Sequence, residues 1–163
     1  SRGLGDVYKR QHFSWGKCYL SPILDMNTNE IISYDLSMIP NLNQIKRMLN
    51  RAFKKFRNLQ GLIMHSDQGW QYQHEYYRSE LKKHGIIQSM SRKGNCYDNS
   101  IMETFFGRMK NEMYYGSEKE YTSFKVFAKA VKEYIHYFNK ERIQKKTKWM
   151  PPSKFREASM MET

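Results

Sequence analysis

From Gly61 to Lys110 the apolar residues change their spacing in an order that few folds accommodate. Gly61-Leu-Ile-Met-His65 is a short apolar run suited to a buried strand, and it delivers Ser66 and Asp67 to its C-terminal edge. Residues from about Gln73 to His84 then read as a helix that stops at Gly85, a residue that readily adopts the left-handed cap conformation. Ile86-Ile-Gln-Ser-Met90 reads as a second strand, and Ser91 to Asn99 as a polar loop. From Ser100 a helix carries Met102, Phe105, Phe106, Met109 and Met113 on one side and Glu103, Gly107, Lys110 and Tyr114 on another. Strand, helix, strand, loop, helix is an α/β order.

The flanking segments fit the same class. Lys17 to Asp25 and Glu30 to Ser37 read as a hairpin around Met26-Asn-Thr-Asn29, with Pro22 placing the first strand at an edge or an irregularity. After Pro40, Ile45, Met48, Leu49, Ala52, Phe53 and Phe56 recur at helical spacing, with Lys46, Arg47, Arg51, Lys54 and Lys55 on the other faces. A further helix runs from about Ser123 to Lys140, and the basic stretch from Lys140 to Lys148 before Trp149-Met-Pro-Pro152 reads as an extended arm. Cys18 and Cys96 have no ligand or disulfide spacing, and no apolar run approaches the ~18 residues that span a bilayer. The expected setting is a reducing cytoplasm without membrane attachment.

The chemistry is set by where the acids fall. Asp67 and Glu103 are separated by 35 residues, one at a strand end and one in the first turn of a helix, in a chain of formal net charge +12. Excess positive charge spread over several segments draws a polyanion, whereas paired carboxylates repel phosphate unless a divalent cation lies between them. Ser100-x-x-Glu103 also matches a capping box, and Asp67 could cap a turn before Gly69. Asp25 reads as a structural strand-end acid and the reserve candidate for a further carboxylate beside Asp67 and Glu103, His65 as a hydrogen-bonded structural residue, and Trp70 as packed rather than free to stack on a base.

Three ordered strings tip the balance toward metal binding: His65-Ser-Asp-Gln-Gly-Trp-Gln-Tyr72; Ser91-Arg-Lys-Gly-Asn-Cys-Tyr-Asp-Asn99; and Glu103-Thr-Phe-Phe106 with Lys110 seven residues after the glutamate. Together with Tyr137-Phe-Asn139 and Arg142-Ile-Gln144, they closely resemble the catalytic (OrfB-type) subunit of bacterial two-frame insertion-sequence transposases. Those proteins belong to the DDE superfamily, with the retroviral integrase catalytic core. The resemblance implies a ribonuclease H-like α/β fold, a central mixed sheet flanked by helices, over residues 12–145, with a basic C-terminal arm at 146–163. It makes Asp67 the second and Glu103 the third metal-binding carboxylate, and brings Lys110 to the DNA. The candidate for the first is Asp6 in Gly5-Asp6-Val7, although residues 1–11 depart from the family's pattern and stand as an atypical segment, a candidate foreign junction.

The polar loop offers Arg92, Lys93 and Asn95 as further DNA contacts. The implied cofactor is Mg2+, with Mn2+ able to substitute. The implied reaction is water attack on a phosphodiester at the element's end, followed by attack of the freed 3'-hydroxyl on a second phosphodiester. Partners would be the terminal repeats, target DNA, further copies of the chain and the helix-turn-helix product of the upstream frame. The competing readings are a non-catalytic or truncated DNA-binding remnant, and a metal-dependent nuclease of the same fold that cuts without joining.

Overall fold

Two strands, β3 (Gly16–Asp25) and β4 (Ile31–Ser37), form the expected hairpin in the computed structural model, which describes residues 3–6, 9–92 and 100–161, with backbone alone for residues 3–11. The turn is closed by Asp25, whose Oδ1 accepts the N–H of Asn27 (2.9 Å) and of Thr28 (3.4 Å), and by Asn29 in the left-handed region at φ 61°. Pro22 sits beside a register shift at Ile23/Leu24, so the irregularity is present, but β3 is paired on both edges rather than at the rim.

One edge of β3 holds β4, and the other holds both β2 (Lys9–Phe13) and β1 (Gly3–Asp6). Both lie in one register, Lys9 opposite Leu20 and Asp6 opposite Ile23. The atypical first residues therefore do form strands, despite a glycine-rich sequence of low strand propensity, because β3 and β5 offer hydrogen bonds on both sides. β1 runs parallel to β5 (Ile63–Ser66), which runs parallel to β6 (Ile87–Met90). The six strands make one mixed sheet.

Helices cover both faces. α1 (Leu42–Lys55) is capped by Asn41, whose Oδ1 accepts the Asn43 N–H (3.1 Å). It buries Ile45, Met48, Leu49 and Ala52 against Ile23, Ile32 and Met64, together with Tyr77 and Leu81 of α3 (Glu75–Lys83). The helix expected over 73–84 is two pieces, because His74 leaves the helical region and its Nδ1 caps α3 through the Tyr76 N–H, leaving a single turn, α2 (Trp70–Gln73), before it. On the opposite face α4 (Ser100–Met109) and α5 (Phe124–Lys140) pack Met102, Phe105, Phe106, Met109, Phe127, Val131 and Phe138 over Cys18, Leu20 and Leu24. At ~25 cal/mol per Å2 of apolar surface removed from water, these two clusters provide the main drive for the three-layer arrangement.

In place of an extended basic arm, the chain after α5 forms a 3-10 turn (Lys145–Thr147) and a last helix, α6 (Pro152–Met161). The guanidinium of Arg156 pins α6 to the hairpin through Asp25 Oδ2 (2.6 Å) and Glu30 Oε2 (2.5 Å), and stacks over Phe56. The turn before α6 holds Lys148 at φ 54° and Trp149 at φ 62°, with the Trp149 side chain 63% exposed. A left-handed non-glycine costs about 1–2 kcal/mol, and an indole in water returns little packing. Trp149→Gly is expected to stabilise the protein by roughly 0.5–1 kcal/mol after the extra chain entropy of glycine, read as a melting point about 1–4 °C higher by calorimetry.

Candidate active site

Three parallel strands end at the same edge of the sheet, where open α/β folds place their ligands. β5 stops at Ser66, whose carbonyl accepts the Ser91 N–H (2.8 Å) just beyond β6. The next residue, Asp67, leaves the ladder in an Asx turn: its Oδ1 accepts the Gly69 N–H (2.8 Å), which fixes the carboxylate at the entrance to α2. Oδ2 of the half-buried Asp67 has no hydrogen-bond partner among the described residues, so that oxygen is available to a hard cation. A Cβ on Gly69 would stand 3.0 Å from Asp67 Oδ1 and 2.9 Å from Gln71 Oε1, so the absence of a side chain there lets the turn close. Gln68 braces the same corner by donating to the Ser91 carbonyl (3.1 Å).

Period-two alternation from Met64, which packs with α1 and α3, sends Ile63 and His65 to the face that carries α4. His65 Nδ1 lies 2.9 Å from Ser89 Oγ on β6, as a structural histidine would, while its buried Nε2 has no partner among the described residues. Trp70 is 56% exposed, which overturns the packed reading and leaves its ring at the solvent side of the Asp67 turn. Asp25 is fully occupied by the hairpin turn and Arg156, a structural role.

Glu103 lies half-buried in the first turn of α4, and α4 lies against β1, the strand next to β5. Asp6 stands at the C-terminal end of β1, in register with Ser66, one residue before Asp67. The elements carrying the three acids are therefore neighbours at one edge. Among the described residues no three His, Cys, Asp or Glu side chains form a metal-binding group, and the Asp6 side chain lies outside them. Arg92 is exposed directly after β6, and Lys93 and Asn95 fall outside the described residues.

Lys110 begins a π-helical turn (Lys110–Tyr114) in which the Tyr115 N–H reaches back to the Lys110 carbonyl (2.7 Å). Seven residues at about 100° each return it to the flank of α4 that bears Glu103. The wide turn is held by Glu112, which accepts from Tyr134 Oη (2.7 Å) and from Arg142 Nε (2.7 Å). Burial first, then the Glu112 carboxylate, raises the Tyr134 phenol above its ordinary pKa. This brace was not visible in the sequence, because Glu112 and Arg142 are 30 residues apart and no local pattern couples them.

Residues 4–96 match the integrase core domain family, and residues 103–160 match a second integrase core domain description. The chain belongs to the integrase core domain family. Two similar relatives are an uncharacterized transposase-like protein of Haemophilus influenzae and InsK, the transposase assigned to insertion sequence element IS150 of Escherichia coli K12. The first is 52% identical over 89% of this chain and 66% of its own length, the second 47% identical over 89% and 50%. The chain thus spans about half to two thirds of the relatives it matches. Among solved structures, the HTLV-2 integrase catalytic core domain in complex with magnesium superposes with a TM-score of 0.74 at 10% identity, covering 94% of each chain. The integrase core family therefore brings a ribonuclease H-like fold, as expected. No helix among the described residues is long and apolar enough to cross a membrane.

Proposed function

We propose that this chain is the catalytic core of an insertion-sequence DNA transposase, cleaving element ends and joining them to target DNA. The observation that carries the reading is Asp67: a carboxylate fixed through one oxygen, with the other uncommitted, at the carboxyl edge of parallel strands beside the helix that bears Glu103. Asp67 and Glu103 would hold the divalent ions, magnesium or in its place manganese, and Asp6, at the end of β1, would be the first carboxylate. When bound, such ions lower the pKa of an attacking water and stabilise charge on a phosphodiester in in-line displacement. The protein's own contribution is placement. The Asx turn orients Asp67, the Glu112 brace fixes the end of α4, and Lys110 would hold the strand, with Arg92, Lys93 and Asn95 contacting the backbone. Terminal repeats, target DNA, further copies of the chain and a helix-turn-helix protein are the proposed partners, in the cytoplasm and on the nucleoid when DNA is bound.

The test is incubation with duplexes carrying the element's ends, with magnesium or with chelator. Magnesium-dependent nicking followed by joined products supports the transposase, nicking without joining identifies a nuclease, and salt-sensitive binding indifferent to magnesium identifies a remnant. Within an active protein, Gly69→Ala presses a methyl group on Asp67 Oδ1. The joining rate is expected to fall by about 10- to 100-fold with little change in melting temperature; an unchanged rate would show that the tight turn does not set the carboxylate.

A further inference from the structure

On the side of α4 turned away from Glu103, a cavity of about 140 Å3 opens between α4, the β3–β4 turn, the end of α5 and the 145–147 turn. Its α4 residues, Ile101, Thr104, Phe105 and Arg108, lie roughly 100° to 200° around the helix from Glu103. The cavity is therefore distinct from the proposed catalytic edge, and the inference stands whether or not that proposal does.

Leu24, Ile101, Phe105 and Phe138 give it an apolar wall, and Arg108 and Lys146 stand at its rim. Arg108 Nη1 donates to Gln144 Oε1 (2.8 Å), and Lys146 Nζ to the Met26 carbonyl (2.9 Å) and Asn29 Oδ1 (3.2 Å). All these acceptors are neutral, and neither cation has an ion pair among the described residues. The acid whose charge acts on Lys146 is Asp25, which is already bound by Arg156 (2.6 Å). Burial, opposed by Asp25 and reinforced by the like charge of Arg108, pushes the Lys146 ammonium below its ordinary pKa. In the same cluster the buried Gln144 Nε2 has no acceptor among the described residues. Two cations on neutral oxygens at the mouth of an apolar cavity favour an anion that neutralises both while its body leaves water.

We infer that this cavity binds a compact organic carboxylate, its apolar body against Leu24, Ile101, Phe105 and Phe138 and its carboxylate between Arg108 and Lys146. A cavity of about 150 Å3 accepts a benzene ring, which sets the size. Inorganic phosphate or a DNA phosphate would use the cations and leave the wall unoccupied, so neither matches the site as well.

Calorimetric titration of the intact chain with sodium benzoate tests this, with benzamide, acetate and inorganic phosphate as comparisons. Benzoate is expected to saturate one site per chain, with each comparison weaker by about tenfold or more. Arg108→Gln and Lys146→Met should each weaken benzoate at least about tenfold. Thr104→Trp, an exposed position that keeps both charges and fills the cavity mouth, should do the same. Because Arg108 also bonds Gln144, melting temperature is checked first, and Lys146→Met with Thr104→Trp carry the result if Arg108→Gln unfolds. Absence of saturable benzoate binding, benzamide binding equally well, or undiminished binding in the folded variants overturns the inference.

Discussion

Asp67→Asn lowers magnesium-dependent cleavage of end-sequence duplexes to below about one-thousandth of the parent rate, a barrier increase of roughly 4 kcal/mol. The substitution keeps the side-chain volume and an oxygen able to accept the Gly69 N–H, so the turn survives and the melting temperature is expected to move by only a few degrees. What is lost is the negative charge that would hold the cation. Glu103→Gln should cost a similar factor, and the double variant should be little worse than either, because groups that act as a unit are not additive. Single-turnover cleavage and joining rates check all three. Full activity in Asp67→Asn or Glu103→Gln would remove that residue from the mechanism. Asp6→Asn belongs in the same series: a fall comparable to the other two assigns it the first carboxylate, and an unchanged rate assigns that role elsewhere.

A second large effect is expected far from the acids. Asn139, near the end of α5, acts as a substitute strand for the first residue of β4: its Oδ1 accepts the Ile31 N–H (2.8 Å) and its Nδ2 donates to the Ile31 carbonyl (3.0 Å), all of it buried. Asn139→Leu is nearly isosteric and more apolar, yet leaves both backbone groups of Ile31 without partners. At about 1–3 kcal/mol for each of the two unsatisfied buried groups, the loss is roughly 2–6 kcal/mol, a fall of about 4–24 °C in melting temperature. Urea unfolding monitored by circular dichroism measures it. A change below about 0.5 kcal/mol, the usual range for surface substitutions, would mean that the pairing contributes nothing.

Residues with a local physical signature were legible in the sequence. Asn29 and Gly85 adopt the left-handed conformations their types favour, at φ 61° and 70°. The apolar stripe of α1 and the Phe-rich stripes of α4 and α5 became the two cores, and Asp67 sits where the apolar run ends. What remained hidden depended on partners distant in sequence. The stripe through Tyr72, Tyr77 and Leu81 continues across a break that only the His74 cap creates. Residues 146–163 read as a basic arm, yet the proline at 152 fits the first turn of a helix, and α6 gains its hold from Arg156. β1 has almost no strand signature of its own and exists through its neighbours, so the family resemblance, rather than propensity, pointed to an acid in that position.

Arg156 meets Asp25 from 131 residues further along the chain. During synthesis the ribosome makes the hairpin long before it makes Arg156, so the nascent protein carries Asp25 without its guanidinium and Glu30 with Lys55 alone (3.2 Å). The latch closes only after α6 has cleared the exit tunnel, which makes a later-made helix the timer for an earlier-made turn.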